Sequence, residues 1–188
     1  MYSLYIDTHS AYAQVIMFAG EKVLLKKEND ALLSHSKSTM PMIEELLRDI
    51  NISIHDIKEI IVVNGPGSFT GVRIGVTIAK SLAYTLDIPI KTINSLLIKA
   101  ISAHINDNKI AIISDSNGRY VGEYTKDNKL LKDFKYYKES EYKQYIKDKK
   151  NVIDDIILDY EAIYHYLKTE KASNPHGVNP IYVKELEV

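Results

Sequence analysis

The sequence predicts an α/β fold in which one unit, with the order β-β-β-α-β-α, occurs twice within 188 residues. Strand-like and helix-like runs follow this same order in both parts of the chain. The first run of each part also ends in an aspartate followed by a hydroxyl residue, Asp7-Thr8 and Asp115-Ser116. Such correspondence at matching positions is expected of a duplication. We therefore expect two subdomains, at residues 1–98 and 99–188, of which the second is the smaller.

The first unit begins with an antiparallel meander, predicted from three strand-like runs at residues 2–7, 11–18 and 21–27. A helix is predicted over residues 35–50, because its apolar residues recur at helical spacing. Ser36 or Ser38 can cap this helix, and Pro41 lies in its first turn, where a missing N–H matters least. His35 is expected to hydrogen-bond nearby backbone at the helix entry.

The rest of the first unit is a strand at residues 59–63, a glycine-rich junction at residues 64–75, a helix that runs to Leu86 and a strand at residues 89–93. A helix at residues 95–104 leads into the second unit. There the predicted strands are at residues 109–114, 119–125, 129–137 and 152–158, and the predicted helices are at residues 139–147 and 161–168.

Four of the eight glycines lie in the junction, so the backbone there must take an unusual conformation or approach another group closely. A phosphate loop is one interpretation, because a helix N-terminus offers free N–H groups. The Walker motif needs a lysine that residues 64–75 lack, and the dinucleotide motif needs a glycine where Thr70 stands. The interpretation we favour is a tight turn, set by Gly65 and Gly67, that begins a closely packed helix.

The helix after the junction carries a row of small residues at every fourth position, Gly71, Gly75, Ala79 and Ala83. Large apolar residues cover most of its remaining circumference, so more than one side of the helix should be covered. Two interior glycines cost about 1 kcal/mol each in helix propensity, which a close contact must offset. The partner in that contact is the sheet, a neighbouring helix or a second subunit.

Composition excludes several classes of protein. The net charge of −1 gives no basic excess for unaided nucleic-acid binding, and the absence of cysteine excludes disulfides, thiolate metal sites and cysteine nucleophiles. No run approaches 18 apolar residues, and the N-terminus lacks the basic region of a signal peptide. We therefore expect a soluble cytoplasmic protein without a membrane partner.

Asp7 and Asp115 are candidates to hold a metal ion or a water across a cleft between the halves, because carboxylates at strand ends often do so. The alternative is that each caps its own turn. The six histidines include no pair three to five residues apart, so a helical metal site is not indicated. Ser68 is expected to cap the following helix, since no nucleophile motif surrounds it. Arg73, in the first helical turn, is expected to meet a carboxylate or a bound anion.

Residues 64–75, NGPGSFTGVRIG, resemble the signature of the bacterial TsaB family, also called YeaZ. Further matches lie in Ile6-Asp7-Thr8, His35-Ser36, Met40-Pro41, Ile43-Glu44-Glu45-Leu46-Leu47, Ala79-Lys80-Ser81-Leu82-Ala83 and Ile88-Pro89. The resemblance covers residues 1 to about 98 well. In the second half it is limited to residues 115–121 and to residues 179–184, where Lys184 stands for the family's arginine.

The resemblance implies an ASKHA fold, the actin-like duplicated RNase H architecture, in agreement with the repeated order of elements. It also implies a part in forming N6-threonylcarbamoyladenosine (t6A) at position 37 of tRNAs that read ANN codons. In that family the paralogue TsaD carries the metal and the catalysis, TsaE supplies ATPase activity, and TsaB pairs with TsaD through helices of its first half.

Two classes of function follow. The favoured one is a non-catalytic subunit that binds no cofactor alone, with ATP or ADP at the complex interface, tRNA contact only through the complex, and a homodimer when isolated. Its expected partner surface is Met40, Ile43, Leu47, Gly71, Gly75, Ala79 and Ala83, and its expected signature loop is Gly65, Pro66, Gly67, Ser68, Phe69, Thr70 and Arg73. A bulky residue at Gly75 or Ala79 should then abolish pairing and leave the monomer folded. The alternative is an ASKHA-fold small-molecule kinase or ATPase; a glycoprotease-type peptidase is disfavoured because no metal or nucleophile constellation is present.

Overall fold

The first sheet of the computed structural model, which describes residues 1–29 and 35–183, contains five strands within those residues. They are β1 (Tyr2–Asp7), β2 (Ala13–Ala19), β3 (Lys22–Asn29), β4 (Ile57–Val63) and β5 (Ile90–Ile93). Their order in the sheet is β3-β2-β1-β4-β5. β1 pairs antiparallel with β2 and parallel with β4, so the predicted meander and crossover are both present.

Helices cover both faces of this sheet. α1 (His35–Asp49) and α2 (Phe69–Leu86) pack on one face, against Leu4 and Ile6 of β1. α3 (Ser95–Ser102) packs on the other face, in a core that includes Tyr5 of β1. Successive side chains of a strand point to opposite faces, and every residue from Leu4 to Ile6 is fully buried. The near-continuous apolar character of β1 and β4 follows from this covering on both sides.

The second sheet consists, within the described chain, of β6 (Lys109–Asp115), β7 (Gly118–Tyr124), β8 (Lys135–Lys138) and β9 (Val152–Ile153). α4 (Glu139–Ile146) and α5 (Tyr160–Lys168) complete this part. The strand order β8-β7-β6-β9 repeats the order β3-β2-β1-β4 of the first sheet, again with one parallel pairing after an antiparallel meander. The second copy is reduced, as predicted, because its parallel strand has only two residues.

Two predicted strands of the second half are shorter in the structure. The strand predicted at residues 129–137 is confined to Lys135–Lys138, because residues 125–129 form a turn and Leu130 makes only an isolated bridge to Tyr124. The strand predicted at residues 152–158 ends at Ile153. Beyond it the chain follows α3 instead of the sheet, since the Lys99 ammonium donates to the Asp154 carbonyl and Ser102 Oγ accepts from the Asp159 N–H at 2.9 Å.

The structure does not support the predicted division at residues 98 and 99. Ile98 is buried in the middle of α3, so the change from the first unit to the second lies after that helix. The C-terminal segment also returns to the first unit. Ser173 N–H donates to the Ile90 carbonyl at 2.7 Å, Ile181 N–H donates to the Asn64 carbonyl at 2.8 Å, and Val178 is buried in the core beneath α2.

No helix within residues 1–29 and 35–183 is long and apolar enough to cross a membrane.

Candidate functional site

The glycine junction connects the carboxyl end of β4 to α2 through a tight turn. Gly65 has φ +97, a conformation that side-chain-bearing residues rarely adopt. Its carbonyl accepts from the Ser95 N–H at 2.9 Å, and the Ser95 hydroxyl donates to the Pro66 carbonyl. Two hydrogen bonds from the first residue of α3 therefore stabilise the turn. Ser68 caps α2 as predicted, with its Oγ accepting from the Gly71 N–H at 3.1 Å.

The turn after β1 lies directly against this junction. The Ser68 N–H donates to the His9 carbonyl at 2.7 Å, and a side chain at Gly67 would collide with that carbonyl oxygen. Thr8 Oγ1 donates to the Gly71 carbonyl at 2.7 Å. The junction thus requires glycine because the backbone of residues 8 and 9 comes very close. The close approach is made by the turn that follows this chain's own first strand.

The small-residue row of α2 faces inward. A methyl group at Gly71 would collide with the Thr8 carbonyl, and one at Gly75 would collide with Thr8 Oγ1. Ala79 is 0% exposed and Ala83 is 1% exposed. The row therefore gives room to Thr8 and the first sheet, and it cannot offer a contact surface in the folded monomer. This corrects the assignment of Gly71, Gly75, Ala79 and Ala83 to a partner interface.

The same correction applies to most of the α1 residues assigned to that interface. Ile43 is 0% exposed and Leu47 is 8% exposed, and both belong to the core that α1 and α2 form over the sheet. Met40 is only partly buried, so it can reach a neighbour. Large apolar residues at helical spacing are explained here by the chain's own sheet. The outward positions of α1 and α2 are the ones available to a partner.

Arg73 has aromatic neighbours where a carboxylate or an anion was predicted. Its guanidinium carbon lies 3.8 Å from the centroid of the Phe69 ring, and its Nε donates to the Tyr182 hydroxyl at 2.8 Å. The rings of Phe69 and Tyr182 lie 5.2 Å apart. Both rings are partly exposed, as is the guanidinium, so this cluster lies on the surface and fixes the C-terminal segment to the start of α2.

Asp7 and His9 form a buried pair at the end of β1. His9 Nδ1 lies 2.6 Å from Asp7 Oδ1, and the side chains are 11% and 4% exposed. The same oxygen accepts from the His9 N–H at 3.0 Å, and Oδ2 accepts from the Tyr5 hydroxyl at 3.3 Å. Burial by itself raises the pKa of the Asp7 carboxyl, but the His9 ring and these hydrogen bonds outweigh burial and lower that pKa from its usual value.

Asp115 occupies the equivalent place in the second half and is also engaged by its own unit. Asp115 Oδ1 accepts from the N–H and the hydroxyl of Ser116, and Oδ2 accepts from the Tyr136 hydroxyl at 3.1 Å. In each half, the strand-end aspartate therefore accepts hydrogen bonds from its own turn on one carboxylate oxygen and from a tyrosine hydroxyl on the other. Of the two predictions for these residues, this geometry fits the capped turn.

The two carboxylates at this end of the fold are engaged by hydrogen bonds within the protein. Both carboxylates accept protein hydrogen bonds on both oxygens, and within the described residues no group of three or more His, Asp or Glu side chains could hold a metal ion. Residues 64–75 contain no lysine to meet a phosphate.

The residue that sequence analysis missed is His9. Its spacing of two residues from Asp7 across a turn is the signal that could have indicated the pair.

His35 behaves as predicted at the entry of α1. Its Nε2 lies 2.9 Å from the Ser10 carbonyl, so the ring joins the start of α1 to the turn after β1. The ring also lies beside Gly71. The turn after β1, the start of α1 and the start of α2 therefore form one packed cluster.

Comparison with known proteins identifies relatives of this chain. Residues 29–134, more than half of the chain, match the family model of TsaD, tRNA N6-adenosine threonylcarbamoyltransferase. A TsaB protein of Bacillus subtilis, named tRNA threonylcarbamoyladenosine biosynthesis protein, is 38% identical over 68% of this chain. Its namesake in Buchnera aphidicola subsp. Schizaphis graminum is 34% identical, also over 68% of this chain. The matches span 57% and 62% of those relatives' own lengths.

The fold has a close counterpart among solved structures. YeaZ from Pseudomonas aeruginosa superimposes with a TM-score of 0.77 at 19% sequence identity, and the match covers 96% of this chain and all of that one. This likeness confirms the duplication predicted from the repeated order of elements and the actin-like ASKHA architecture that the family resemblance implied. The family-model match relates the chain to TsaD, and the identity to several TsaB proteins together with the likeness to YeaZ shows that it belongs to the TsaB/YeaZ family.

Proposed function

We propose that this protein is a subunit of the assembly that forms N6-threonylcarbamoyladenosine in tRNA. The observation that carries the proposal is the 38% identity to a protein named for the biosynthesis of that nucleoside. The identity is accompanied by a family-model match to the threonylcarbamoyltransferase itself. A chain related to both can take part in the same reaction either as the enzyme or beside it.

The geometry at the strand ends favours a non-catalytic role. Both strand-end aspartates accept hydrogen bonds from their own units, and Arg73, the basic residue of the junction, lies against aromatic rings. We propose that catalysis resides on a TsaD-like partner and that a TsaE-like protein supplies ATPase activity. ATP or ADP then binds where this chain meets the partner, and tRNA contacts are made through the complex.

The outward faces of α1 and α2 are the proposed pairing surface. Ile74 and Ile78 on α2 and Met40 on α1 are only partly buried in the monomer, and Thr77 and Ser81 beside them are exposed. Adjacent helices that leave aliphatic side chains half-covered gain apolar burial when a second helical pair packs on them. The same surface accounts for the homodimer that we propose for the isolated chain.

Co-purification with a TsaD-like protein tests the pairing. Ser81→Arg places a long charged side chain on the proposed surface, and we expect it to abolish recovery of the partner. Ser140→Arg is the matched control, because Ser140 is an exposed serine on α4 of the other half. Equal recovery with Ser81→Arg and the unaltered chain, when both are folded by circular dichroism, would contradict the proposed surface.

The tRNA role and the absence of catalysis are tested separately. A strain depleted of its own TsaB should regain N6-threonylcarbamoyladenosine, measured by mass spectrometry of tRNA nucleosides, when it expresses this chain. Calorimetry of the isolated protein with ATP and magnesium should show no turnover. Turnover of ATP by the isolated chain would replace the subunit role with the kinase or ATPase alternative.

A further inference from the structure

An open cleft of about 380 Å³ lies in the second half, lined by α5, the end of α3 and the turn after β7. It contains Lys109, the first residue of β6, whereas the aspartate site of that half lies at the other end of the strand, at Asp115. The volume is in the range of small-molecule sites, about 300–1,000 Å³. This cleft is separate from the surfaces used in the proposed function.

Lys109 provides a buried positive charge in the cleft. The residue is 3% exposed, and its Nζ donates to the Ile105 carbonyl at 2.9 Å and to the Lys126 carbonyl at 3.4 Å. Within the described chain no carboxylate oxygen lies within 4.0 Å of this ammonium. Burial lowers the pKa of Lys109, and the more distant Asp127 opposes that effect. A buried ammonium held only by carbonyls is poorly compensated, so an anion beside it would be stabilised.

The lining of the cleft is basic and partly apolar. Lys126, His104 and His165 join Lys109, and the ring of Tyr166 adds apolar surface. His104 and His165 each contact a carboxylate, Asp159 at 2.9 Å and Glu21 at 3.0 Å, but neither acid belongs to the lining. The described lining contains no Asp or Glu, so an anion that enters the cleft faces only cations and neutral groups.

The side chain of Asn128 favours a ligand that carries a hydrogen-bond donor. Its Oδ1 is buried and, within the described residues, has no hydrogen-bond partner. A buried amide oxygen without a donor costs free energy of about 1–3 kcal/mol. Asn128 lines the cleft, so a small rotation of its amide would let a ligand O–H or N–H reach Oδ1 and remove that cost.

We propose that this cleft binds a small organic oxyanion that has an apolar body and also carries a hydroxyl or amine donor. Lys109 holds the oxyanion, Lys126 adds charge at the rim, Tyr166 packs against the body and Asn128 accepts from the donor. The chemistry fits a carboxylate or a phosphate monoester. The site is independent of pairing with a TsaD-like protein.

NMR titration of the full-length ¹⁵N-labelled protein with 4-hydroxybenzoate, benzoate and phenyl phosphate tests the proposal. We expect saturable shifts confined to residues of the cleft, with 4-hydroxybenzoate binding more tightly than benzoate because it alone can donate to Asn128. The affinities of phenyl phosphate and benzoate, compared with each other, show whether the cleft prefers a phosphate monoester or a carboxylate. Lys109→Met should weaken binding by at least about tenfold, since it removes a charged hydrogen-bond donor. Lys143→Met, at an exposed lysine of α4, should leave binding unchanged.

Two further variants protect the test against a folding defect in Lys109→Met. Asn128→Gly is compatible with the backbone, because Asn128 has φ +62, and it should abolish the preference for 4-hydroxybenzoate. Lys126→Met removes the rim charge without touching the core and should weaken all three probes. The proposal is overturned if no probe gives saturable shifts at about 10 mM, where even weak specific binding is measurable. It is also overturned if the folded variants bind all three probes as the unaltered chain does.

Discussion

Thr8 joins the end of β1 to α2 and explains the glycine at position 75. Its Oγ1 occupies the space that a methyl group on residue 75 would need, and it donates to the Gly71 carbonyl at 2.7 Å. Gly75→Ala should therefore destabilise the monomer. Overpacking costs about 1–3 kcal/mol, which outweighs the gain of about 1 kcal/mol in helix propensity. Urea denaturation followed by circular dichroism measures the difference. This contact with Thr8 argues against the expectation that a bulky residue at position 75 would leave the monomer unaffected.

A double-mutant cycle separates this clash from a general effect of the substitution. Thr8→Ala removes Oγ1, so Gly75→Ala should cost much less in that background, with a coupling free energy of about 1–3 kcal/mol. Gly177→Ala is the control, because a methyl group there meets nothing within 4 Å. If Gly75→Ala is equally destabilising with and without Thr8, the close approach does not explain the glycine.

The Asp7–His9 pair makes folding stability depend on pH in a definite direction. The folded-state pKa of Asp7 lies below its unfolded value, so the pair stabilises the fold above pH about 4 and this contribution is lost as pH falls through the folded value. In His9→Ala the ring no longer outweighs burial, so the pKa of Asp7 rises. The acid-unfolding midpoint, measured by circular dichroism, should then move to higher pH.

His55→Ala is the matched control for this prediction, since His55 is an exposed histidine in the same half of the molecule. Its acid-unfolding midpoint should match that of the unaltered chain. An unchanged midpoint in His9→Ala would mean that the ring does not set the ionisation of Asp7.

Among the elements, α2 shows which features were predictable from sequence. The glycine junction and the apolar spacing predicted a helix to Leu86, and the structure has α2 at Phe69–Leu86. The row of small residues also predicted a close contact correctly. The sequence could not say which surface makes that contact, because a sheet and a second subunit both favour small residues. The identity of the neighbour depends on Thr8, which is 63 residues from Gly71 along the chain.

The C-terminal segment illustrates a second limit. Residues 173–183 form no regular strand, so neither periodicity nor turn chemistry predicts where they pack. Their position follows from long-range hydrogen bonds to Asn64 and Ile90 and from Lys80, whose ammonium donates to the Val178 carbonyl at 3.0 Å. The hydrogen bond from Arg73 to Tyr182 could not be predicted for the same reason, since Tyr182 lies in this segment.

Val178 allows the role of this segment to be measured. It is 2% exposed in the core beneath α2, so Val178→Ala should lower the free energy of unfolding by about 1–3 kcal/mol through lost burial and a cavity. Ile157→Ala removes more aliphatic carbon from a side chain that is 93% exposed, and it should change stability by less than about 0.5 kcal/mol. Equal effects of the two substitutions in urea denaturation would show that the segment does not stabilise the first unit.

At the scale of the whole molecule, the two halves share one core. Phe18 of the first sheet packs against Tyr164 of α5 with ring centroids 4.7 Å apart, and the Tyr160 hydroxyl donates to Gln14 Oε1 at 2.6 Å. Surface ion pairs also connect the two halves, including Lys22 with Glu161 at 2.7 Å. Such exposed pairs contribute little to stability, so the shared apolar core is what joins the halves.

The shared core predicts that the halves unfold together. Leu167 of α5 is 2% exposed in that core, and Leu167→Ala should destabilise by about 2–5 kcal/mol. Because β1 and β4 bury one face in the same cluster, hydrogen exchange measured by mass spectrometry should accelerate in peptides of the first sheet as well as of the second. Ile157→Ala should leave hydrogen exchange unchanged in the peptides of both sheets. Faster exchange confined to residues 109–168, with β1 and β4 as protected as before, would show that each half unfolds independently.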